Sequence, residues 1–196
     1  MKITIKHQEK YSRGELLLRV FFGWLYIGLP HYFLLFFASI WGAILLFVSF
    51  LIILFTGSYP KSMFEYQLGL LKWSNRVSAR IYNLVDGYPA FGIKASDEMT
   101  DIEIEYPETV SRGHTLLRFF LGVIYVFIPH GFILFFRMIA VGFLVFIAFW
   151  IVLFTGEYPK GIHNFNAGLI RWSTRINLYM YYMTDKYPPF TGDEVE

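Results

Sequence analysis

The stretch FLLFFASIWGAILLFVSFLIILFTG, residues 33–57, decides how this chain folds. It contains no charged side chain, and a helix of this length is about 37 Å long at a rise of 1.5 Å per residue. The hydrocarbon core of a bilayer is about 30 Å thick, so a slightly tilted helix of this kind can cross it. The stretch therefore predicts an integral membrane protein.

A second copy of the stretch, FILFFRMIAVGFLVFIAFWIVLFTG, occupies residues 132–156. Residues 12–91 align without a gap on residues 111–190. The motifs common to both copies are S-R-G, P-H, F-T-G-x-Y-P-K, G-L-x-x-W-S-x-R and D-x-Y-P-x-F. The chain is therefore a tandem duplication. We divide it into repeat 1 (residues 1–91), a linker (92–110), repeat 2 (111–190) and a tail (191–196).

The composition agrees with membrane residence. Hydrophobic residues make up 56% of the chain and aromatic residues 21%, whereas soluble domains are about 45–50% apolar. The absence of cysteine excludes disulfides, thiolate metal sites and a cysteine nucleophile. Residues 1–11 contain no apolar segment, so we expect no cleavable signal peptide.

Capping residues and prolines predict three helices in each repeat. Ser12 and Glu15 have the spacing of a capping box, and Pro30 is expected to end the helix that they begin. Gly57 is suited to end the second helix, and Pro60 to begin the third. The predicted helices are residues 13–29, 31–56 and 61–86 in repeat 1 and residues 112–128, 130–155 and 160–185 in repeat 2. The first two helices of each repeat form a hairpin that either crosses the bilayer or enters it and returns.

The third predicted helix of each repeat is amphipathic. Apolar side chains, Trp73 and Val77 among them, recur at three- and four-residue steps, and basic side chains fall largely on the other side. A basic amphipathic helix that is rich in aromatic residues typically lies along a membrane surface. We therefore expect these helices at the interface, with Trp73 and Trp172 anchored among the headgroups.

Two short polar segments alternate with isoleucine at a period of two. Residues 1–6 include Ile3 and Ile5, and residues 101–105 include Ile102 and Ile104. This alternation predicts two short strands that pair with each other, with lysine facing glutamate. Flexible polar tails are the alternative. The predicted fold is thus an all-α membrane protein of two repeats, with a possible two-stranded sheet.

Lysine and arginine are placed unevenly along the chain. Apart from Arg13 and Arg112 at the helix starts, only Arg19, Arg118 and Arg137 lie inside predicted apolar helices, and no lysine or arginine is near the two P-H turns. The positive-inside rule therefore places both termini and the amphipathic helices in the cytoplasm. Because both repeats keep the basic helix, each needs an even number of crossings. The repeats are then related by a pseudo-twofold axis along the membrane normal.

The ordered pattern S-R…P-H…F-T-G-x-Y-P-K-G…G-L-x-R-W-S…D-x-Y-P-P-F resembles a bacterial membrane-protein family known as domain of unknown function 4389. Repeat 2 matches the pattern throughout, whereas repeat 1 departs from it at Ser62 and Ala90. The resemblance implies a bacterial origin and membrane residence. Together with the predicted topology, it leads us to expect a multi-pass protein of the bacterial inner membrane. It implies no catalytic residue.

Basic side chains are the first candidates for a site. Arg19 and Arg118 form a symmetric pair inside the membrane helices, where they would bind an anionic headgroup or a carboxylate. Alternatively, each arginine extends along its own stem to the headgroups at the cytoplasmic surface. The amphipathic helices are predicted to bind anionic lipid headgroups through Lys72, Arg76, Arg171 and Arg175.

Arg137 and the two histidines of the P-H pairs are further candidates. Arg137 stands where repeat 1 has Ala38, and an unpaired charge in lipid is costly, so we expect a salt bridge or a contact with a partner subunit. His31 and His130 would supply two imidazoles to a metal or haem, but turn capping at the outer face is favoured. We expect no metal and no cofactor.

Two acidic residues, Asp86 and Asp185, end the amphipathic helices. We expect them to hold Arg76, Arg13 or their counterparts in an ion-pair network.

No catalytic motif occurs in the chain, which has no G-x-S-x-G, H-E-x-x-H or phosphate-binding glycine loop. The sequence therefore favours a non-enzymatic structural or accessory subunit that packs against other membrane proteins or against itself. The alternative is a lipid-binding or apolar-solute transport protein with its site near Arg19 and Arg118. Membrane lipids are the expected partners, and nucleic acid is not.

Overall fold

The computed structural model describes residues 1–194, and within them the chain forms four helices and one two-stranded sheet. The elements are β1 (Lys2–Ile5), α1 (Arg13–Thr56), α2 (Lys61–Ile81), β2 (Thr100–Glu103), α3 (Arg112–Thr155) and α4 (Lys160–Met180). Helices α1 and α3 are repeat mates, as are α2 and α4. The predicted all-α class and the tandem duplication are confirmed.

The predicted break at Pro30 is wrong. Gly28 and Leu29 have helical backbone angles, so α1 continues through Pro30. The whole helix is 44 residues long. It consists of α-helical Arg13–Gly23, π-helical Trp24–Gly28 and α-helical Leu29–Thr56. Helix α3 has the same plan, with its π-helical segment at Val123–Phe127. Two long apolar helices therefore replace the four shorter ones, and the hairpin turn within each repeat is absent from residues 1–194.

A π-helical turn explains how α1 tolerates a proline. A proline inside an α-helix lacks an N–H donor, and its ring collides with the carbonyl group four residues before it. In α1 that group is the carbonyl of Tyr26. The turn before the proline is a wider π-helical turn, in which the Leu29 N–H donates to the Trp24 oxygen. The hydroxyl of Tyr88 donates to the freed Tyr26 oxygen at 3.0 Å.

The same arrangement recurs in repeat 2. There the hydroxyl of Tyr187 donates to the carbonyl oxygen of Tyr125, four residues before Pro129, at 2.8 Å. The tyrosine of each D-x-Y-P-x-F motif therefore pairs the carbonyl that the proline leaves free.

The predicted helix ends are mostly confirmed. The Ser12 hydroxyl accepts from the Glu15 N–H at 3.3 Å, and Gly57 ends α1 in the left-handed conformation, with φ 75°. Helix α2 ends at Ile81 rather than at residue 86, because Asn83 has φ 56° and cannot continue a right-handed helix. Tyr182, with φ 62°, does the same after α4.

Helix α2 packs antiparallel along α1. Near the start of α2, the Tyr66 hydroxyl donates to the Ala38 oxygen at 2.9 Å, whereas the loop after α2 reaches back to Arg19. The apolar side of α2 therefore covers a helix rather than hydrocarbon, and Trp73 is only 4% exposed. The prediction that Trp73 and Trp172 are anchored among the headgroups is wrong, because both indoles are buried.

The two repeats meet around a pseudo-twofold axis. The Thr174 hydroxyl donates to Asn75 Oδ1 at 3.1 Å, and these two residues are repeat mates. Leu71 clusters with Leu178, whereas Ala79, later in α2, clusters with residues of α4 that come earlier, so the two helices are antiparallel. A twofold axis that relates antiparallel helices is perpendicular to both of them.

The predicted strand pair is confirmed, and it lies on the same axis. β1 and β2 are antiparallel, with Ile3 opposite its repeat mate Ile102. Both isoleucines are buried in the core cluster that also contains Leu71 and Leu178. The sheet therefore covers the α2–α4 pair at its centre.

Each long helix ends beside the start of the other. The Tyr11 N–H donates to the Gly156 oxygen, and the Val110 N–H donates to the Gly57 oxygen, both at 2.9 Å. The rings of Phe50 in α1 and Phe119 in α3 stack with their centroids 4.1 Å apart. The two repeats are thus interlocked at both ends.

A close backbone approach gives a first prediction. A Cβ atom at Gly69 in α2 would lie 2.6 Å from the Ile93 carbonyl oxygen, whereas one at Gly161 in α4 would meet nothing within 4 Å. We expect Gly69→Ala to destabilise the protein by about 1–3 kcal/mol, because the linker backbone must move. Thermal unfolding in detergent measures the effect, with Gly161→Ala as the matched control. Equal unfolding midpoints for the two variants would contradict the packing.

Candidate functional site

A group of side chains fixes each π-helical segment to the loop that follows the amphipathic helix. We name each group a bulge clamp. The clamp of repeat 1 consists of Arg19, His31, Trp73, Asp86, Tyr88 and Phe91, and that of repeat 2 consists of Arg118, His130, Trp172, Asp185, Tyr187 and Phe190.

The clamp arginines are buried and paired inside the protein. Arg19 donates to Asp86 Oδ1 at 2.7 Å, to Glu15 Oε2 at 3.1 Å and to Asn83 Oδ1 at 2.9 Å. Its side chain is 3% exposed. The guanidinium therefore satisfies its charge within repeat 1.

Arg118 is paired in the same way in repeat 2. It contacts Asp185 and donates to the backbone oxygens of Tyr179 and Thr184 at 2.8 and 3.0 Å. Both guanidiniums bind carboxylates of the chain itself, so the predicted contact with a headgroup and the predicted extension to the membrane surface are wrong for Arg19 and Arg118. Arg19 does line a cavity along α1. The aspartates do join ion pairs, although with these arginines rather than with Arg76 or Arg13.

The clamp histidines are buried in aromatic surroundings. His31 Nδ1 accepts from the Trp73 indole N–H at 2.9 Å, and the Phe91 ring stacks on the imidazole at 3.9 Å. His130 makes the same contacts with Trp172 and Phe190. The predicted role of these histidines in capping a turn is wrong, because no turn follows the prolines. Within residues 1–194, no group of three His, Cys, Asp or Glu side chains could hold a metal ion.

The basic side chains of the amphipathic helices point toward the linker and the tail. Arg76 donates to the backbone oxygens of Gly92 at 2.6 Å and Ala95 at 2.8 Å, and Arg175 donates to the Thr191 oxygen at 2.9 Å. Arg171 binds Glu194 at 2.6 Å. Burial lowers the pKa of Arg76, Arg171 and Arg175.

These contacts contradict the prediction that the amphipathic helices present a basic face to anionic headgroups. Arg76, Arg171 and Arg175 are at most 4% exposed, so they offer no free guanidinium to anionic headgroups. Lys72 is more accessible, but its ammonium group binds Asp101 at 2.6 Å.

Arg137 also finds its partners within repeat 2. It donates to the Phe165 carbonyl oxygen at 2.7 Å, and its guanidinium lies 4.2 Å from the centre of the Phe165 ring. Gly168 and Gly192 leave room for it, since a Cβ atom at either position would overlap the guanidinium. The charge therefore needs no partner subunit, contrary to the prediction.

A groove on the pseudo-twofold axis is the strongest candidate for a binding site. Helices α2, α3 and α4 enclose a cavity of about 430 Å³, which we name the central groove. Its floor is polar, and one wall consists of Leu134, Phe135 and Met138 of α3. The polar floor consists of Ser74, Asn75, Ser78, Ser173, Thr174 and Asn177.

Sequence reasoning missed the central groove. Ser74 and Ser78 are four residues apart on α2, and Ser173 and Asn177 repeat that spacing on α4. Ser74 is exposed, whereas Arg76, which lies on nearly the opposite side of the helix, is buried under the linker. The spacing of the polar residues was visible in the sequence, but the face that it marks was not.

A further cluster, made of His7, Tyr158 and His163, lies where the two repeats meet. His163 is fully buried, and its Nε2 lies 3.1 Å from the Leu84 oxygen. Burial, assisted by the neighbouring His7, lowers the pKa of His163 to about 4. Burial likewise raises the pKa of the adjacent Tyr158 to about 12.

The bulge clamp yields a prediction. Tyr88→Phe removes the hydroxyl that pairs the Tyr26 carbonyl, and we expect a loss of about 1 kcal/mol in unfolding free energy, because that oxygen is left without a donor. Tyr32→Phe, at a half-exposed position of α1, is the control and should have little effect. Chemical denaturation in detergent measures both variants. Equal stability of the two would contradict the role of the hydroxyl.

His163 yields a prediction of pH dependence. Its folded pKa of about 4 lies below the usual value of 6.5, so the neutral form stabilises the fold above pH 6.5. That stability is lost as the pH falls toward 4, by an amount on the order of 3 kcal/mol. His163→Phe, which carries the residue found at position 64 of repeat 1, should flatten the profile of unfolding midpoint against pH. An unchanged profile would show that another group controls it.

Comparison with known proteins agrees with the repeat structure. The family model described as Domain of unknown function (DUF4389) matches residues 15–92 and again residues 112–192. No curated protein and no solved structure matches the chain. Each of the two matches contains one long apolar helix, one amphipathic helix and one complete bulge clamp. The chain therefore belongs to the DUF4389 family and carries two copies of its domain.

Proposed function

We propose that this protein is a non-enzymatic structural or accessory subunit of the bacterial inner membrane. The observation that carries the proposal is the position of its exposed large hydrophobic side chains. Nearly all of them lie on α1 between Leu17 and Phe55 or on α3 between Leu116 and Phe154. Soluble monomers rarely expose continuous apolar patches larger than a few hundred Å².

The length of the apolar surface favours helices that lie along the membrane. The exposed part of α1 is 39 residues long, or about 58 Å at 1.5 Å per residue, whereas the hydrocarbon core is about 30 Å thick. A perpendicular crossing would leave almost half of this surface in water. An orientation in the membrane plane, or a shallow dip into one leaflet, buries it all.

Charge supports the same orientation. The linker and β2 carry Lys94, Asp97, Asp101 and Glu103, and they cover the side of α2 that is opposite the central groove. With the pseudo-twofold axis along the membrane normal, this charged side faces water and the groove faces lipid. Three lysines, Lys2, Lys72 and Lys94, also line this side, so the positive-inside rule favours the cytoplasm for it. The first and last described segments accompany it, because Lys2, Ile3 and Glu194 line one small cavity.

The role as a subunit has separate support. Gly142 on α3 has open space around its backbone, and small residues of this kind allow helices of membrane proteins to approach closely. The acidic groups of the bulge clamps are engaged in ion pairs, and the chain has no catalytic motif. A packing role requires neither catalytic groups nor a polar path through the protein.

Cysteine labelling tests the orientation, since the chain contains no cysteine. We expect Lys61→Cys and its repeat mate Lys160→Cys to react with an impermeant maleimide only from the cytoplasmic side of membrane vesicles. Phe36→Cys and Phe135→Cys, which are exposed on the long helices, should be protected by lipid. Labelling of the two lysine positions from opposite sides would contradict the orientation.

The role as a subunit needs its own measurement. A photocrosslinking residue at position 142 should give one discrete protein adduct in native membranes, whereas the same residue at position 94, on the charged side, should not. Adducts to lipid alone at position 142 would leave the membrane orientation intact and contradict the role as a subunit.

A further inference from the structure

The floor of the central groove presents hydroxyl and amide groups next to exposed apolar surface. Asn75 and Thr174 are 8% and 2% exposed, and the single hydroxyl proton of Thr174 is shared between the Ile170 oxygen at 2.7 Å and Asn75 Oδ1 at 3.1 Å. Asn75 Nδ2 has no hydrogen-bond partner within residues 1–194. An unpaired buried amide is costly, typically by about 1–3 kcal/mol. Because Asn75 lines the groove, an acceptor placed there would relieve that cost.

The uncharged lining of the groove limits the class of ligand that it can bind. Within residues 1–194, the side chains that line the groove carry no formal charge. A phosphate or carboxylate in this position would lose its hydration without gaining a cationic partner. Hydroxyl groups and ester carbonyls fit instead, since serine, threonine and asparagine side chains both donate and accept hydrogen bonds.

The walls and the size of the groove indicate an amphiphile. Phe135 and Met138 line the groove and are more than half exposed, so the cavity is continuous with the apolar surface of α3. Its volume of about 430 Å³ is in the range usual for small-molecule sites, about 300–1,000 Å³. This space can hold a small headgroup, and the apolar surface of α3 beside it can take acyl chains.

We propose that the central groove binds one diacylglycerol, with the glycerol hydroxyl and the ester carbonyls on the polar floor. This inference rests on the proposed membrane orientation, which turns the groove toward lipid. The bound lipid supplies the acceptor that Asn75 Nδ2 lacks.

The difference between the repeats sets the number of lipids. Gly131 lines the groove on α3, and its repeat mate on α1 is the much larger Tyr32. No residue of α1 lines the groove within the described chain. The groove is therefore open along one long helix only, and it binds one molecule per chain despite the pseudo-symmetry.

Native mass spectrometry of the full chain in detergent tests the proposal, with dioleoylglycerol as the probe. We expect saturable binding of one lipid to the wild type. Ser74→Phe fills the groove from an exposed position and should weaken binding at least tenfold. Asn75→Leu removes the unpaired donor and should also weaken it. Asn164→Leu, at an exposed position of α4 outside the groove, is the matched control and should bind as the wild type does.

A second lipid and a measurement of unfolding complete the experiment. Dioleoylphosphatidic acid has the same acyl chains with a charged phosphate, and we expect it to bind at least tenfold more weakly. Unfolding midpoints within a few degrees of the wild type verify that Ser74→Phe is folded. Absence of saturable binding, equal binding of phosphatidic acid, or unchanged binding in folded Ser74→Phe would each overturn the proposal. Because micelles replace the bilayer, such a failure is independent of the cysteine labelling result.

Discussion

The architecture depends on pairing one backbone carbonyl in each long helix. In apolar surroundings a free carbonyl cannot turn to water, so a proline in an apolar helix requires a substitute donor. The Tyr88 and Tyr187 hydroxyls provide it. Because each tyrosine follows an amphipathic helix, the contact also fixes that helix against the long one, and the buried arginine–aspartate pairs hold the same loops.

The sequence was sufficient for the class and the strand pair, because both depend on the local periodicity of apolar residues. It was sufficient for the duplication because the two copies align without a gap. The prediction failed at Pro30. The local rule says that a proline ends a helix, but the Tyr88 hydroxyl, 58 positions later in the chain, pairs the carbonyl that the proline leaves free. The prediction also failed at Arg76 and Arg175. Their guanidinium groups donate to backbone oxygens of the linker and the tail, and no local pattern predicts the path of those two segments. The central groove was missed for the same reason, since its floor combines residues from both repeats.

Duplication has allowed matched positions to diverge. His163 stands where repeat 1 has Phe64, and Arg137 stands where it has Ala38. Asn75 and Thr174 differ at the axis itself and hydrogen-bond to each other. The shared residues form the clamps that each repeat needs, whereas several of the differing residues lie where the two repeats meet.

The exchange of helix ends between repeats has an evolutionary consequence. Tyr11 and Val110 are equivalent residues, and each donates to the last turn of the other repeat's long helix. A polypeptide with a single domain would leave that donor and the central helix face uncovered. It would recover both by pairing with an identical copy, since equivalent residues already meet across the axis. The tandem chain joins these two equivalent halves covalently, so each half can differ in sequence from the other, as Asn75 and Thr174 do at the axis.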